Sequence, residues 1–167
     1  MSFVRPTLGL LSAVAVAAAA MAPAPAAAKP ENGKRFGDWV VECEQTPKGE
    51  RCAVSQTAMK DGNRVLTVTV GYLGAKGEPV LLAIVPLGIS LVAGAAFKIG
   101  DAKEVPMQMQ QCTVQGCLAV GQMAPAHVKA LNDGKSLGIG VVPAGTENIV
   151  GLPVSMNGFK DAFASLK

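Results

Sequence analysis

Between Val65 and Tyr72 apolar and polar residues alternate without a slip, Leu66, Val68, Val70 and Tyr72 falling on one face and Thr67 and Thr69 on the other. A period of two puts successive side chains on opposite sides of an extended chain, so this segment predicts a half-buried antiparallel strand. Asp61-Gly62-Asn63 before it and Lys76-Gly77-Glu78-Pro79 after it are turn residues. The same reading predicts strands over 37–43 and 52–57, 105–112 and 117–123, 137–142 and 148–155. Residues 79–97 contain no charge over 19 positions, which a hydropathy window reads as a membrane span. Pro86-Leu87-Gly88 interrupts the run, so it divides into a strand over 80–85, expected to be buried on both faces, a turn, and a second strand over 89–97 carrying Gly94. Two short helices complete the pattern. Pro125 opens one over 125–132, which Asp133-Gly134 ends; the other spans 157–166, where Phe159, Phe163 and Leu166 follow the i, i+4, i+7 spacing of one apolar face. Eight or nine short strands joined by brief turns predict an all-β, antiparallel β-sandwich.

The first 28 residues follow a different rule. Arg5 gives a positive start, Leu8 to Met21 is an uncharged run of 14 residues, and Ala26-Ala27-Ala28 fits the small-residue cleavage pattern, so residues 1–28 are expected to be a cleaved signal peptide. The run is too short for a bilayer span and enters Pro23 and Pro25. No cysteine follows the cleavage point to carry a lipid. Residues 29–35 are expected to be a flexible lead-in and 36–167 a single domain, free of any transmembrane span and located in the periplasm, or secreted or associated with the outer surface. Charge adds an exclusion: 15 Lys+Arg against 12 Asp+Glu give a net +3, too weak and scattered for a nucleic-acid footprint.

Export changes what four cysteines mean. Cys43 and Cys52 bracket eight residues containing Thr46-Pro47-Lys48-Gly49, and Cys112 and Cys117 bracket Thr113-Val114-Gln115-Gly116. Four cysteines allow three connectivities. The local ones, Cys43–Cys52 and Cys112–Cys117, are expected, because each loop is short enough to hold its sulfurs together in an oxidising compartment. Structural zinc draws on closer pairs, and the one histidine, His127, lies in neither loop. Loops of this size contribute about 2–3 kcal/mol each in the chain-entropy account.

Little else in the chain suggests chemistry. His127 beside Asp133 and either Ser136 or Ser155 lacks the strand–turn–helix frame of a nucleophile elbow. Asp38, Glu42 and Glu44 share one strand parity and are expected to form a solvated face opposite Trp39 and Val41, with Trp39 in the core. Met107, Met109 and Met123 have no histidine to complete a soft-metal site and are expected to fill the core. Gly138 and Gly140 lie within a strand, away from the helix N-terminus a phosphate needs, and suggest close backbone packing. Hence no catalytic, cofactor-binding or metal residue is assigned, and no cofactor is expected.

Taken in order, Phe36-Gly37-Asp38-Trp39, a Val-Val-Glu-Cys strand, a second Cys after a Pro/Gly turn, Ala83-Ile84-Val85-Pro86-Leu87-Gly88, the Cys112/Cys117 pair and Pro153-Val154-Ser155-Met156-Asn157-Gly158-Phe159 resemble the invasion-associated locus B proteins. The resemblance runs from Phe36 to about Leu166. It departs from the family at Val92-Ala93, where members often carry proline. It implies an exported, immunoglobulin-like β-sandwich of alphaproteobacteria, tied in pathogens to host-cell invasion or envelope function and without established catalytic residues. The expected activity is therefore non-catalytic binding of a protein or cell-surface partner. The rivals are an exported hydrolase-like enzyme with a loop-built site and a periplasmic structural or chaperone-like factor.

Overall fold

The computed structural model describes Met1 and residues 30–167; the rest of the expected leader lies outside the described residues. The elements run β1 (Arg35–Phe36), β2 (Trp39–Thr46), β3 (Gly49–Lys60), β4 (Asn63–Gly71), β5 (Val80–Val85), β6 (Ala95–Ile99), β7 (Val105–Thr113), β8 (Gly116–Gln122), α1 (Pro125–Asn132), β9 (Leu137–Val141), β10 (Val150–Val154) and α2 (Phe159–Ala164). The fold is all-β with two short helices, as the alternation predicts. Every strand pairing is antiparallel, and the ten strands form one hydrogen-bonded order, β1-β2-β3-β4-β5-β8-β7-β6-β9-β10.

The order divides at β7. Its first residues, Val105 to Met107, pair with β6, and from Gln108 onward it pairs with β8 across an irregularity between Met109 and Gln111. An extra residue in one strand bends the ladder and re-aims it. One long strand thus serves both halves of the sheet, and their inner faces share one apolar core: Val41, Val54, Val68, Val70, Leu81, Ala83 and Val85 from one half, Phe97, Ile99, Leu137, Ile139 and Val141 from the other.

The two ends of the strand order meet. Trp39 is completely buried, its indole N–H donating to the Ser155 carbonyl at 2.9 Å. Gln56 grips the same residue twice, donating to that carbonyl at 3.2 Å and accepting the Ser155 amide at 3.0 Å. The Ser155 hydroxyl donates to Asp38 Oδ2 at 2.6 Å, and the Asp38 amide donates to the Asn157 carbonyl at 3.1 Å. Beyond Gly158, α2 turns Phe159 edge-on to Trp39 at 4.9 Å and stacks Phe163 between Phe159 and Tyr72. Leu166, expected on the same face, is only partly buried.

Three expectations need correction. The lead-in is not loose from Asn32 onward: Asn32 Oδ1 accepts the Cys43 amide, and Gly33 and Lys34 exchange backbone bonds with Val41, covering the free edge of β2. The second strand of the uncharged run begins only at Ala95. Ser90 Oγ accepts the Ala93 amide and Gly94 takes φ +72°, which turns residues 90–94 out of extended conformation. Finally, β5 is not buried on both faces: Val80, Leu81, Ala83 and Val85 are buried, while Leu82 and Ile84 are only half-buried.

Gly158 has φ +83°, and a Cβ there would collide with the Phe36 carbonyl; Gly134 has φ +80° with open space around it. Left-handed backbone alone costs an L-residue about 1–2 kcal/mol. Gly134→Ala should therefore lower unfolding free energy by about 1 kcal/mol, and Gly158→Ala by about 3 kcal/mol or more, because it also breaks the junction of the chain ends. Urea unfolding of the two variants measures the difference.

Candidate functional site

The residues with chemical potential are dispersed and mostly occupied in structure. His127 sits on α1 with Nδ1 accepting the Ala124 amide at 3.1 Å and its ring edge-on to Phe97, so it caps the helix start. Asp133 pairs with Lys129 at 2.6 Å. Ser155 and Asp38 hold the junction of the chain ends. Asp38 is consequently separated from Glu42 and Glu44, which remain exposed on β2 opposite buried Trp39 and Val41. Met107 and Met123 are buried, and Met109 packs against the same core. Gly140 permits the approach of Ile149, whose Cγ2 would lie 3.3 Å from a Cβ at that position. Each cysteine faces its neighbour across a hairpin, Cys43 opposite Cys52 with sulfurs 2.05 Å apart and Cys112 opposite Cys117 at 1.97 Å. Among the described residues no group of three or more His, Cys, Asp or Glu is placed to hold a metal ion.

The structure does assemble a surface that the sequence pattern hid. Strand parity and register place Val40, Ser55, Thr69, Leu82, Val120 and Gln108 in one row across the outer face of the larger half. A second row contains Thr57, Thr67, Ile84 and Leu118. At its centre Leu82, Ile84, Leu118 and Val120 form a half-buried aliphatic square on β5 and β8. The neighbouring positions on β3 and β4 are hydroxyl-rich: Thr57 and Thr67 share a hydrogen bond at 3.1 Å, and Thr69 donates to Ser55 at 3.2 Å. An antiparallel sheet with one face in water normally turns polar residues outward. Here the central strands turn out aliphatic ones, and the helices pack elsewhere, α2 on β1, β2 and β3, α1 on α2 and β6.

Toward the Cys43–Cys52 end the face sinks into a hollow of about 330 Å³, lined by Ala53, Thr69 and Leu82, with Leu73 on one wall and Glu42, Glu44 and Arg51 on the other. Ala53 is the one small side chain that β3 contributes to its lining. Arg51 is spent on its architecture, its guanidinium donating to the carbonyls of Tyr72 at 3.1 Å and Gly74 at 3.3 Å and so fixing the chain that carries Leu73. The same loop is closed by Gly74 and Glu78 through a backbone bond and by Glu78 Oε2, which accepts the Lys76 amide at 2.9 Å. Sequence reading missed this surface because an uninterrupted apolar strand looks the same whether its second face is covered or bare. The available signal lay in β8, where Leu118 and Val120 repeat the outward pattern of Leu82 and Ile84.

Comparison with known proteins gives a consistent answer. The family model described as "Invasion associated locus B (IalB) protein" matches residues 39–167. Invasion protein B homologs from two Brucella abortus strains, 2308 and biovar 1 strain 9-941, are each 30% identical over 127 residues, covering 74% of this chain and 72% of theirs. The crystal structure of invasion associated protein B from Bartonella henselae superposes with a TM-score of 0.71 at 24% identity, over 80% of this chain and 92% of that one, which establishes likeness of fold.

The wall of the hollow should respond to acid. The Lys76 amide, and secondarily its own, hold the Glu78 carboxyl below the usual carboxylate range. A depressed folded value means the loop contact contributes fully above the ordinary Glu range and is lost as pH falls through the lowered one. Protection of the Lys76 amide, corrected for intrinsic exchange, should stay flat through neutral pH and collapse on acidification. In Glu78→Gln that pH dependence should disappear, as measured by hydrogen exchange.

Proposed function

The chain belongs to the invasion associated locus B protein family, and from that premise we propose that it is an exported, non-catalytic binding module linked to host-cell invasion or envelope function. Its partner is a protein that docks on the outer face of the sheet. The observation carrying this reading is the aliphatic square of Leu82, Ile84, Leu118 and Val120, left uncovered at the centre of a sheet rather than at its edge. Contiguous apolar surface with a polar rim is what partner recognition requires. The names of the curated relatives support the link to invasion. Export is supported by the leader-like first 28 residues and by two cysteine pairs at bonding distance, a usage suited to an oxidising compartment.

Ile84 and Leu118 face each other directly across β5 and β8, so Ile84→Lys with Leu118→Glu introduces an opposite-charge pair the sheet tolerates. Its cost in stability should be within about 1 kcal/mol, since both long side chains reach water. In a strain lacking the gene, the wild-type chain should restore host-cell entry or envelope integrity, whichever the deletion impairs. The double variant, exported to the same level with all thiols blocked until reduction, should restore neither. Full complementation by the variant would refute the docking face, and free thiols or purely cytosolic recovery would refute export.

A further inference from the structure

The aliphatic side chains most open to water lie mostly off the sheet. Five of them gather at one end of the molecule, four on the β5–β6 and β9–β10 loops and one at the first residue of β10: Leu87 and Leu91 at 55% exposure, Val92 at 101%, Ile149 at 64% and Val150 at 43%. Away from these five and Met1, only Met59 and Val114 are comparable large hydrophobics among the described residues. The two loops are laced together. Ile89 bridges Pro143, the Ser90 amide donates to the Val142 carbonyl at 2.7 Å, and the Ala144 amide donates to the Gly88 carbonyl at 2.8 Å. Within them the Gly94 amide donates to Ser90, and the Thr146 amide and hydroxyl both donate to Pro143. Ala93 and Ile149 line one shallow depression, which joins the patches.

We propose that this loop end is a lipid-contact site, with Leu87, Leu91, Val92 and Ile149 inserting at the headgroup–acyl boundary of a bilayer. Three observations favour lipid over a protein pocket. The cluster is purely aliphatic, whereas protein hot spots draw on Trp, Tyr and Arg and under-use Leu and Val. It carries little charge and no cation: residues 79–97 have none, residues 136–150 have only Glu147, and Glu104 is the one charged residue lining the depression between the loops, so no opposite-charge rim is available. Its loops also satisfy many of their backbone groups among themselves, as irregular chain must when it leaves water for hydrocarbon. The uncharged run that imitates a membrane span in the sequence therefore touches the membrane by its turn, between two strands that belong to the soluble core. The site uses none of the residues of the sheet face, so either can fail without the other.

The test uses exported protein purified with its N-terminus verified by mass, so that no leader contributes to binding. The probes are vesicles of phosphatidylcholine alone and of phosphatidylcholine mixed with phosphatidylglycerol. Trp39 is completely buried, so a Val92→Trp variant reports on the loop. Its emission should shift to the blue on adding vesicles and be quenched by lipids brominated on the acyl chain. Wild-type protein should co-sediment with both vesicle types at low and high salt. Leu91→Ser with Val92→Ser should weaken partitioning at least about ten-fold, with an unchanged thermal transition, while Val114→Ser should not. Absence of wild-type binding would overturn the proposal. So would binding that needs anionic lipid, disappears with salt and ignores the loop variant, or a loop variant that loses only a protein crosslink.

Discussion

Ser155 is where the two ends of this chain are fastened, and most of the architecture depends on that junction. Its carbonyl accepts from both Trp39 and Gln56, its amide donates to Gln56, and its hydroxyl donates to Asp38. A buried indole N–H and a buried amide side chain would each be costly without partners. The C-terminal segment supplies those partners, and no buried side-chain polar atom among the described residues is left without one. The sheet consequently folds back until its first and last strands meet, instead of leaving two long edges. Phe159 and Phe163 then fill the opening beside Trp39 and Tyr72.

This junction explains why two segments that carry the resemblance to the family sit far apart in sequence. Gly37 has φ +55° and a Cβ there would meet the Asn157 carbonyl at 2.6 Å, while Gly158 leaves room for the Phe36 carbonyl. The Phe-Gly-Asp-Trp turn and the Ser-Met-Asn-Gly-Phe segment are two halves of one contact, each glycine making space for the other's backbone. With the core sealed there and the strand order bent at β7, the aliphatic square on the outer face stays half-buried and the tip of the β5–β6 loop stays open to water. Their aliphatic residues are the ones we propose for partners, a protein on the face and lipid at the loop.

Much of the fold was legible because its rules are local. Alternation located β4, proline and Asp133-Gly134 bounded α1 to the residue, and short loops brought each cysteine beside its neighbour. Errors arose where tertiary context decides. The half-exposed state of Leu82 and Ile84 depends on what lies across the sheet, which no pattern within β5 reveals. The 89–94 segment reads as strand by composition, yet the Ser90 hydroxyl and the left-handed Gly94 make it a turn. Asn32 and its neighbours look like a polar tail, and their order comes from the free edge of β2. The resemblance identified the family, but the site lay in the packing that individual motifs leave open.

Native-state hydrogen exchange across the chain tests the junction most directly. If Ser155 fastens the ends into one cooperative unit, the amides of Ser155 and of α2 from Ala162 onward should open with the same free energy as those of central β5. In Trp39→Phe, which keeps the ring packing but removes the indole donor, both sets should fall together. Exchange of the C-terminal segment through a separate, lower-energy opening, with β5 unaffected by the substitution, would contradict the account.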